Sequence, residues 1–332
     1  MQDFEELFTT IAGLKVAIIG DVMLDTYWWG RVERISPEAP VPVVSLQTKE
    51  YRLGGAGNVA LNTVALKAQT TLFSVIGNDD DGMILTDMLQ KQGINTQYLI
   101  KSDSRITTNK TRIISRNQQM MRLDAEITSD ISPVEEELLI QQFLVYIGTQ
   151  KPGVVIFEDY NKGVLTESLI RSVINLCKQY GIPTAVDPKR KNFFAYTQAD
   201  IFKPNLKEVK EGLNLLMEDI TLQSLSEVHR QLQELLHHKV SLITLSEKGI
   251  FVQQEDRGQI IPAHLRNITD VSGAGDTVIA VASLVYAVTK NIILAAYVAN
   301  LAGGIVCEEV GTAAINASKL LAECRESLKP LT

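Results

Sequence analysis

The residues best placed for chemistry are Thr269-Asp270-Val271-Ser272-Gly273-Ala274-Gly275-Asp276-Thr277. They are mostly small, include two carboxylates, and run directly into the apolar stretch from Val278 to Val288. Small residues let several backbone N–H groups converge in one concave turn, and a helix beginning there adds the positive end of its dipole. The stretch therefore predicts an anion site. Asp276 is the odd member, because a carboxylate repels a bound phosphate. Either it takes a proton from an attacking hydroxyl, or it occupies the first helical turn because a negative charge favours the dipole there. Histidine chemistry is not expected. Of the four histidines, His229, His237 and His238 fall in the polar stretch 224–239, which reads as a solvated helix face, so neither a metal site nor a histidine triad is predicted.

Other polar residues gather at predicted strand ends. Asp21 and Asp25 follow the apolar run Lys15–Gly20, where two acids suit either turns and caps or the gripping of sugar hydroxyls. Glu158, Asp159, Tyr160 and Lys162 follow a second such run, Asp187 and Lys189 a third, Lys203 and Asn205 a fourth, and Ser246 and Lys248 a fifth. The recurrence points to one cleft along the carboxyl edge of a sheet. Leu53-Gly54-Gly55-Ala56-Gly57-Asn58 brings backbone close to a ligand ahead of a helix, without the spacing of a dinucleotide fingerprint. The alternating stretch from Thr96 to Asp124 predicts a β-hairpin turning at Asn117-Gln118, with Lys110, Arg112, Arg116 and Arg122 on it. Those cations either protect an edge strand or, the reading preferred here, receive an anionic group of a substrate.

The elements that must position these residues follow from periodicity. From Pro133 onward, helical and strand patterns alternate as a right-handed, doubly wound, mostly parallel α/β sheet requires. Strands are predicted at Val154–Phe157, Thr184–Val186, Ile201–Phe202 and Ser241–Leu245. Helices are predicted at Thr166–Tyr180, from Leu206, at Leu222–His238 and at Ile292–Glu309. The segment Arg31–Pro42, with three prolines in six residues, predicts an extended excursion that pairs with the hairpin in a small second sheet. The 332 residues are 45% apolar and 21% charged, ample for a large core. A net charge of −7 and a pI near 5.3 argue against nucleic acid or an anionic membrane surface as partner. Three widely spaced cysteines read as reduced thiols, and no signal or membrane-spanning pattern occurs, so a cytoplasmic location is expected.

Taken together, Gly54-Gly55-Ala56-Gly57-Asn58 and Asp270-Val271-Ser272-Gly273-Ala274-Gly275-Asp276-Thr277 resemble the two signature motifs of the ribokinase-like (PfkB) sugar kinases. Asn205-Leu206-Lys207-Glu208 resembles the N-x-x-E motif of the same family. The resemblance spans Val16 to Ile315 and implies a ribokinase-like kinase domain over 1–332, with a small β-sheet lid from excursions at about 26–48 and 96–124. Three further stretches, Arg34–Val43, Ser115–Asp124 and Asp159-Tyr160-Asn161-Lys162-Gly163, are similar to the branch that phosphorylates D-glycero-β-D-manno-heptose 7-phosphate at O1. That branch is often fused to a nucleotidyltransferase carrying an H-x-G-H motif. This sequence has none, so only the kinase part is expected.

The resemblance implies ATP and Mg2+ as cofactors, with Asp276 as base and the amides of Ala274, Gly275 and Asp276, after Gly273, holding the transferring phosphoryl. It implies Asn205 and Glu208 organising magnesium largely through water, and Ser246, Lys248, Gly249 and Gly311 lining the nucleotide. Asp21, Asp25, Gly54, Gly55 and Asn58 would hold sugar hydroxyls, with Asp159 and Asp187 also facing the substrate. Lys110, Arg112, Arg116, Arg122, Lys162, Lys189 and Arg190 are the cations available to its phosphate. Homodimerisation through the lid is implied as well, on an exposed face carrying Trp28 and Trp29. Competing expectations are another sugar or nucleoside kinase of the family, or a non-catalytic sugar-phosphate or nucleotide sensor on the same scaffold.

Overall fold

The computed structural model describes residues 4–116, 118–217, 219–264 and 266–327. A short helix, α1 (Phe4–Ile11), buries Phe4, Leu7 and Ile11 and leads into β1 (Lys15–Gly20). The chain then leaves the main sheet for the long antiparallel pair β2 (Val22–Ile35) and β3 (Pro42–Gly55), and returns through α2 (Ala56–Ala65) to β4 (Gln69–Gly77). Next come α3 (Asp80–Lys91), β5 (Asn95–Ser102) and the hairpin β6 (Asn109–Ser115) and β7 (Gln118–Ala125). The regular half follows: α4 (Pro133–Gln150), β8 (Val154–Glu158), α5 (Glu167–Tyr180), β9 (Thr184–Asp187), β10 (Ile201–Phe202), α6 (Leu206–Gly212), α7 (Leu222–Leu236) and β11 (Val240–Thr244). It closes with the hairpin β12 (Ile250–Gln254) and β13 (Arg257–Ile261), then α8 (Ala274–Thr289), α9 (Ile292–Val306) and α10 (Ala317–Ser327).

Among the described residues, nine strands form one sheet in the order β13-β12-β11-β10-β9-β8-β1-β4-β5, and four form a second in the order β3-β2-β6-β7. From β11 to β5 the large sheet is parallel, and successive residues of β1 feed opposite faces. Val16 and Ile18 join the core under α1, α2, α8 and α9, while Ala17 and Ile19 join the core under α4, α5 and α7. Because β1 connects toward β4 and β8 connects toward β9, the strand order reverses between β1 and β8, and the carboxyl ends of those two strands open a crevice.

The predicted doubly wound sheet and small second sheet are both present, with corrections of extent. The excursion expected over 96–124 begins later, because β5 pairs in parallel with β4 at the edge of the large sheet and only β6 and β7 belong to the small one. The prolines sit where strands tolerate them: Pro37 and Pro40 lie in the connection between β2 and β3, and Pro42 opens the edge strand β3. The antiparallel pair β12 and β13 was not anticipated. Its two-residue turn is Glu255-Asp256, with Glu255 at φ 53°, where Asn-Gly would have signalled it. The expected turn residue Asn117 lies outside the described residues. Two of the histidines assigned to a solvated face are in fact buried, His229 and His238, both in contact with Ser241 Oγ, at 2.9 and 2.7 Å. All three cysteines are free.

Candidate functional site

The glycine turn is built as a helix N-terminus that no side chain caps. Gly273 precedes α8 at φ 77°, and a Cβ there would lie 2.5 Å from Asn58 Nδ2, so only glycine fits both the backbone and the neighbour. Ala274 N–H turns back to Val271 O (3.3 Å) and Thr277 N–H reaches Gly273 O (3.0 Å). Between them, the N–H groups of Gly275 and Asp276 have no backbone acceptor among the described residues. The Ala274 amide, expected to share in anion binding, is thus already engaged by the turn.

Asp276 is buried, and both of its oxygens are held. Asn58 Nδ2 donates to Oδ2 and Tyr160 Oη donates to Oδ1, each at 2.8 Å. Burial pushes its carboxyl up to about 6; the Asn58 bond works against that rise, and the charge of Asp187 adds to it. Asn58, in the first turn of α2, is held in turn by Asn62, whose amide donates to the Asn58 carbonyl (2.9 Å). Asn62 Oδ1 also accepts from Thr277 and from Ile315 N–H, tying the two glycine motifs together.

Tyr160 comes from the loop after β8, and Asp21 fixes that loop. The Asp21 carboxylate, directly after β1, accepts the backbone N–H groups of Tyr160, Lys162 and Val164 at 2.8, 2.9 and 3.1 Å. Asp21 therefore departs from its expected part in gripping sugar hydroxyls: it is buried and spans the crevice to order the opposite loop. Asp159 is likewise turned inward, accepting from Tyr196 Oη and Asn161 N–H, both at 2.8 Å, and burial, then Asp21, pushes it up to about 6.

Next to Asp276 stand two more buried carboxylates, Glu158 at the end of β8 and Asp187 at the end of β9, with one oxygen of each of the three within 4.8 Å of the others. Lys203, buried at the end of β10, contacts Asp187 Oδ2 at 2.8 Å, and Lys189 contacts Asp187 Oδ1 at 3.2 Å and Glu208 at 2.9 Å. Burial alone would raise the Asp187 carboxyl; these two ammoniums outweigh it and hold the group low. Lys189, expected to face the substrate, is thus paired with two acids. A Cβ on Gly275 would lie 3.6 Å from Lys203 Nζ, so that ammonium sits beside the anion turn. Sequence reasoning placed Lys203 at a strand end but gave it no role.

Asn205 and Glu208 form a reciprocal cap of α6: Asn205 Oδ1 accepts Glu208 N–H and Glu208 Oε2 accepts Asn205 N–H, both at 2.8 Å. With its other oxygen on Lys189, Glu208 has little capacity left for direct metal ligation. Glu158 is the opposite case, since both carboxylate oxygens are buried without a partner. The Glu158 and Asp187 oxygens could meet a divalent cation directly, whereas Asn205 and Glu208 could reach one, as expected, through water.

The small sheet supplies the other wall. Asp25 on β2 is buried and paired with Arg112 on β6 at 2.6 Å, so Arg112 is likewise not a free cation. Gly54 leaves room for this carboxylate, because a Cβ there would lie 2.6 Å from Asp25 Oδ2. Gly55, at φ 57°, precedes α2. Lys110 is half-buried; Lys162 pairs with Glu126 (2.8 Å) and Arg122 with Asp124 (2.7 Å). Arg116 is exposed at the hairpin tip and Arg190 is exposed after β9. Trp28 and Trp29, expected on an exposed face, are half-buried, with Lys49 over Trp28 and Tyr27 stacked with Trp29. On the far side, Ser246 and Lys248 are exposed after β11, Gly249 adopts φ 94°, and Gly311 N–H reaches Asp270 Oδ2 (2.9 Å). Arg52 of β3 donates to Val310 O, joining the small sheet to the loop that carries Gly311.

Comparison with known proteins bears on the fold and the family. The bifunctional proteins HldE of Citrifermentans bemidjiense and Syntrophotalea carbinolica are 37% and 38% identical over 329 and 321 residues, covering 99% and 96% of this chain. The chain spans about two thirds of their length, 67% and 64%. The ribokinase of Arabidopsis thaliana complexed with ribose and ATP superposes with a TM-score of 0.73 at 18% identity, covering 93% of this chain and 99% of that one. Phosphofructokinase-2 of Escherichia coli in complex with potassium gives 0.77 at 15% identity, covering 94% and 99%. These two likenesses establish a ribokinase-like fold. Residues 14–319 match the profile described as pfkB family carbohydrate kinase, and the chain belongs to that family.

Proposed function

We propose that the protein transfers the γ-phosphoryl group of ATP to O1 of D-glycero-β-D-manno-heptose 7-phosphate, giving the 1,7-bisphosphate on the route to ADP-heptose and the lipopolysaccharide inner core. One observation carries this reading: Tyr160, from the stretch Asp159–Gly163 that resembles the heptose-phosphate branch, hydrogen-bonds the carboxylate of Asp276. The relatedness to bifunctional HldE proteins supports it.

In this reading Asp276 accepts the proton of the anomeric hydroxyl, and Asn58 and Tyr160 hold the carboxylate in place for that transfer. The N–H groups of Gly275 and Asp276 and the ammonium of Lys203 stabilise negative charge on the transferring phosphoryl. Asp25, set by Arg112, meets sugar hydroxyls. Lys110, Lys162 and Arg122 are the cations for the 7-phosphate, their acidic partners Glu126 and Asp124 giving way to it. Ser246, Lys248, Gly249 and Gly311 line the nucleotide. Magnesium, when bound, neutralises charge on the nucleotide phosphates, and Glu158 and Asp187 are the residues that would hold it, with Asn205 and Glu208 behind them. The small sheet closes over the crevice as a lid and excludes water that would hydrolyse ATP.

The test is ADP release from Mg-ATP against heptose 7-phosphate, fructose 6-phosphate, ribose and adenosine. The heptose phosphate is expected to turn over alone, with Asp276→Asn lowering turnover by about 10³-fold or more while ATP still binds. Preferential turnover of another sugar would move the protein within the family, and nucleotide binding without any turnover would make it a sensor.

A further inference from the structure

We infer that Arg105 is a positioning residue for phosphoryl transfer: together with Asp21 it clamps the loop after β8 from both sides and so sets Tyr160 against Asp276. This rests on Asp276 as the base and adds a residue that no motif marks.

Arg105 lies in the connection between β5 and β6, in backbone that the cap of α3 braces: Asp79 accepts the N–H and the hydroxyl of Thr107 at 2.8 and 2.7 Å. Its guanidinium donates to three backbone carbonyls, Ser129 O at 2.8 Å, Ile127 O at 3.2 Å and Lys162 O. A planar fork of donors can hold several carbonyls at once in one fixed geometry, which a lysine ammonium cannot. Two of the acceptors belong to the stretch between β7 and α4 and the third to the loop after β8. Ile131 N–H on Gly163 O, at 2.9 Å, joins the same two segments. Gly163, at φ 87°, leaves no space between them, since a Cβ there would strike the Ser129 carbonyl.

The clamp closes on Lys162. Its N–H goes to Asp21 Oδ2 and its carbonyl to Arg105, so one residue is held between an acid and a base that come from different connections. Tyr160, two residues earlier, has its N–H on the same Asp21 oxygen and its hydroxyl on Asp276. A tyrosine side chain turns about only two bonds, so a loop backbone fixed here leaves little freedom in where Tyr160 Oη falls. Without Arg105 the carbonyl side of the loop is released while Asp21 still holds the N–H side. The loop then keeps its course, but Tyr160 meets Asp276 less often, and a misplacement of about 1 Å is enough to cost up to about 10²-fold in rate. Lys162 is itself one of the cations proposed for the substrate phosphate, so the same clamp reaches the sugar.

The experiment is a double-variant cycle in the full chain, with Mg-ATP and heptose 7-phosphate as substrates. Arg105→Met and Tyr160→Phe are each expected to lower kcat by about tenfold or more. The double variant is expected to fall no further than about twofold below the poorer single one, because both changes remove the same constraint. Arg105→Met should also raise the KM for the sugar phosphate several-fold and leave that for ATP within about twofold. Circular dichroism checks that each variant is folded. If Arg105→Met fails to fold, Arg105→Lys, which keeps the charge without the planar fork, takes its place. Losses that multiply in the double variant, wild-type kcat in either folded single variant, or equal rises in the two KM values overturn the inference and leave the kinase reading standing. Turnover retained by the Asp276→Asn control overturns the base assignment and the inference with it.

Discussion

At the scale of single residues, the carboxylate beside the glycine turn is positioned by hydrogen bonds that exist before substrate arrives. Asp276 is oriented by two donors from different parts of the chain, and Gly273 is the residue that lets one of them approach. Gly273→Ala puts a side chain into left-handed backbone, costing about 1–2 kcal/mol, and pushes against Asn58 Nδ2. The variant should melt at a lower temperature and lose roughly 10²-fold in kcat through misplacement of Asp276; thermal unfolding and steady-state kinetics measure the two effects separately. Wild-type kcat in a folded Gly273→Ala protein would show that Asn58 does not set the geometry of Asp276.

At the scale of elements, what was legible in the sequence divides along the line between local and non-local signals. The glycine turn and α8 were legible because small residues, a carboxylate and an apolar run are contiguous. The cap formed by Asn205 and Glu208 resembled a known motif, yet its geometry turns both residues toward the helix. Glu158 and Lys203 were visible only as polar residues at strand ends, since their nearness to the start of α8 arises between strand ends and that helix and not along the chain. Asp21 was read as a ligand residue because nothing local shows that it reaches the loop after β8. The polar pattern of α7 concealed a buried pair in the same way: His229 and His238 share Ser241 Oγ beneath the helix. Burial, then the neighbouring His229, lowers the His238 imidazole to about 3. A histidine lowered on folding favours the folded state above its ordinary value of about 6.5, and stability is lost as pH falls from there toward 3. The expected slope is up to about 1.4 kcal/mol per pH unit. His238→Gln, which keeps a partner for Ser241, should flatten the decline of the melting temperature below pH 6.5, and an unchanged profile would assign the acid sensitivity elsewhere.

At the scale of the whole molecule, the small sheet leaves several apolar side chains in solvent. Met121 and Leu123 on β7 are 55% and 46% exposed, and Ile35, Val41 and Leu46 add to the exposed apolar surface at the other end of the sheet. We propose that two copies pair through this surface. Sedimentation should give twice the 36.7 kDa chain mass, and Met121→Glu with Leu123→Glu should return it to one. A monomeric wild-type protein would reject the pairing. No helix among the described residues is long and apolar enough to cross a membrane.

The hold on Asp276 spans the chain. Asn58 and Asp276 are 218 positions apart, and Tyr160 and Asp276 are 116 apart. Such contacts form only after long loops have closed, so they belong to the late, slow part of folding. Phosphoryl transfer is therefore a reporter of completed folding: a partly synthesised or partly refolded chain can have its parallel strands in place and still be inert toward ATP. In a refolding experiment, recovery of turnover should trail recovery of helical signal, and the cell is spared an enzyme that spends nucleotide before its site is closed.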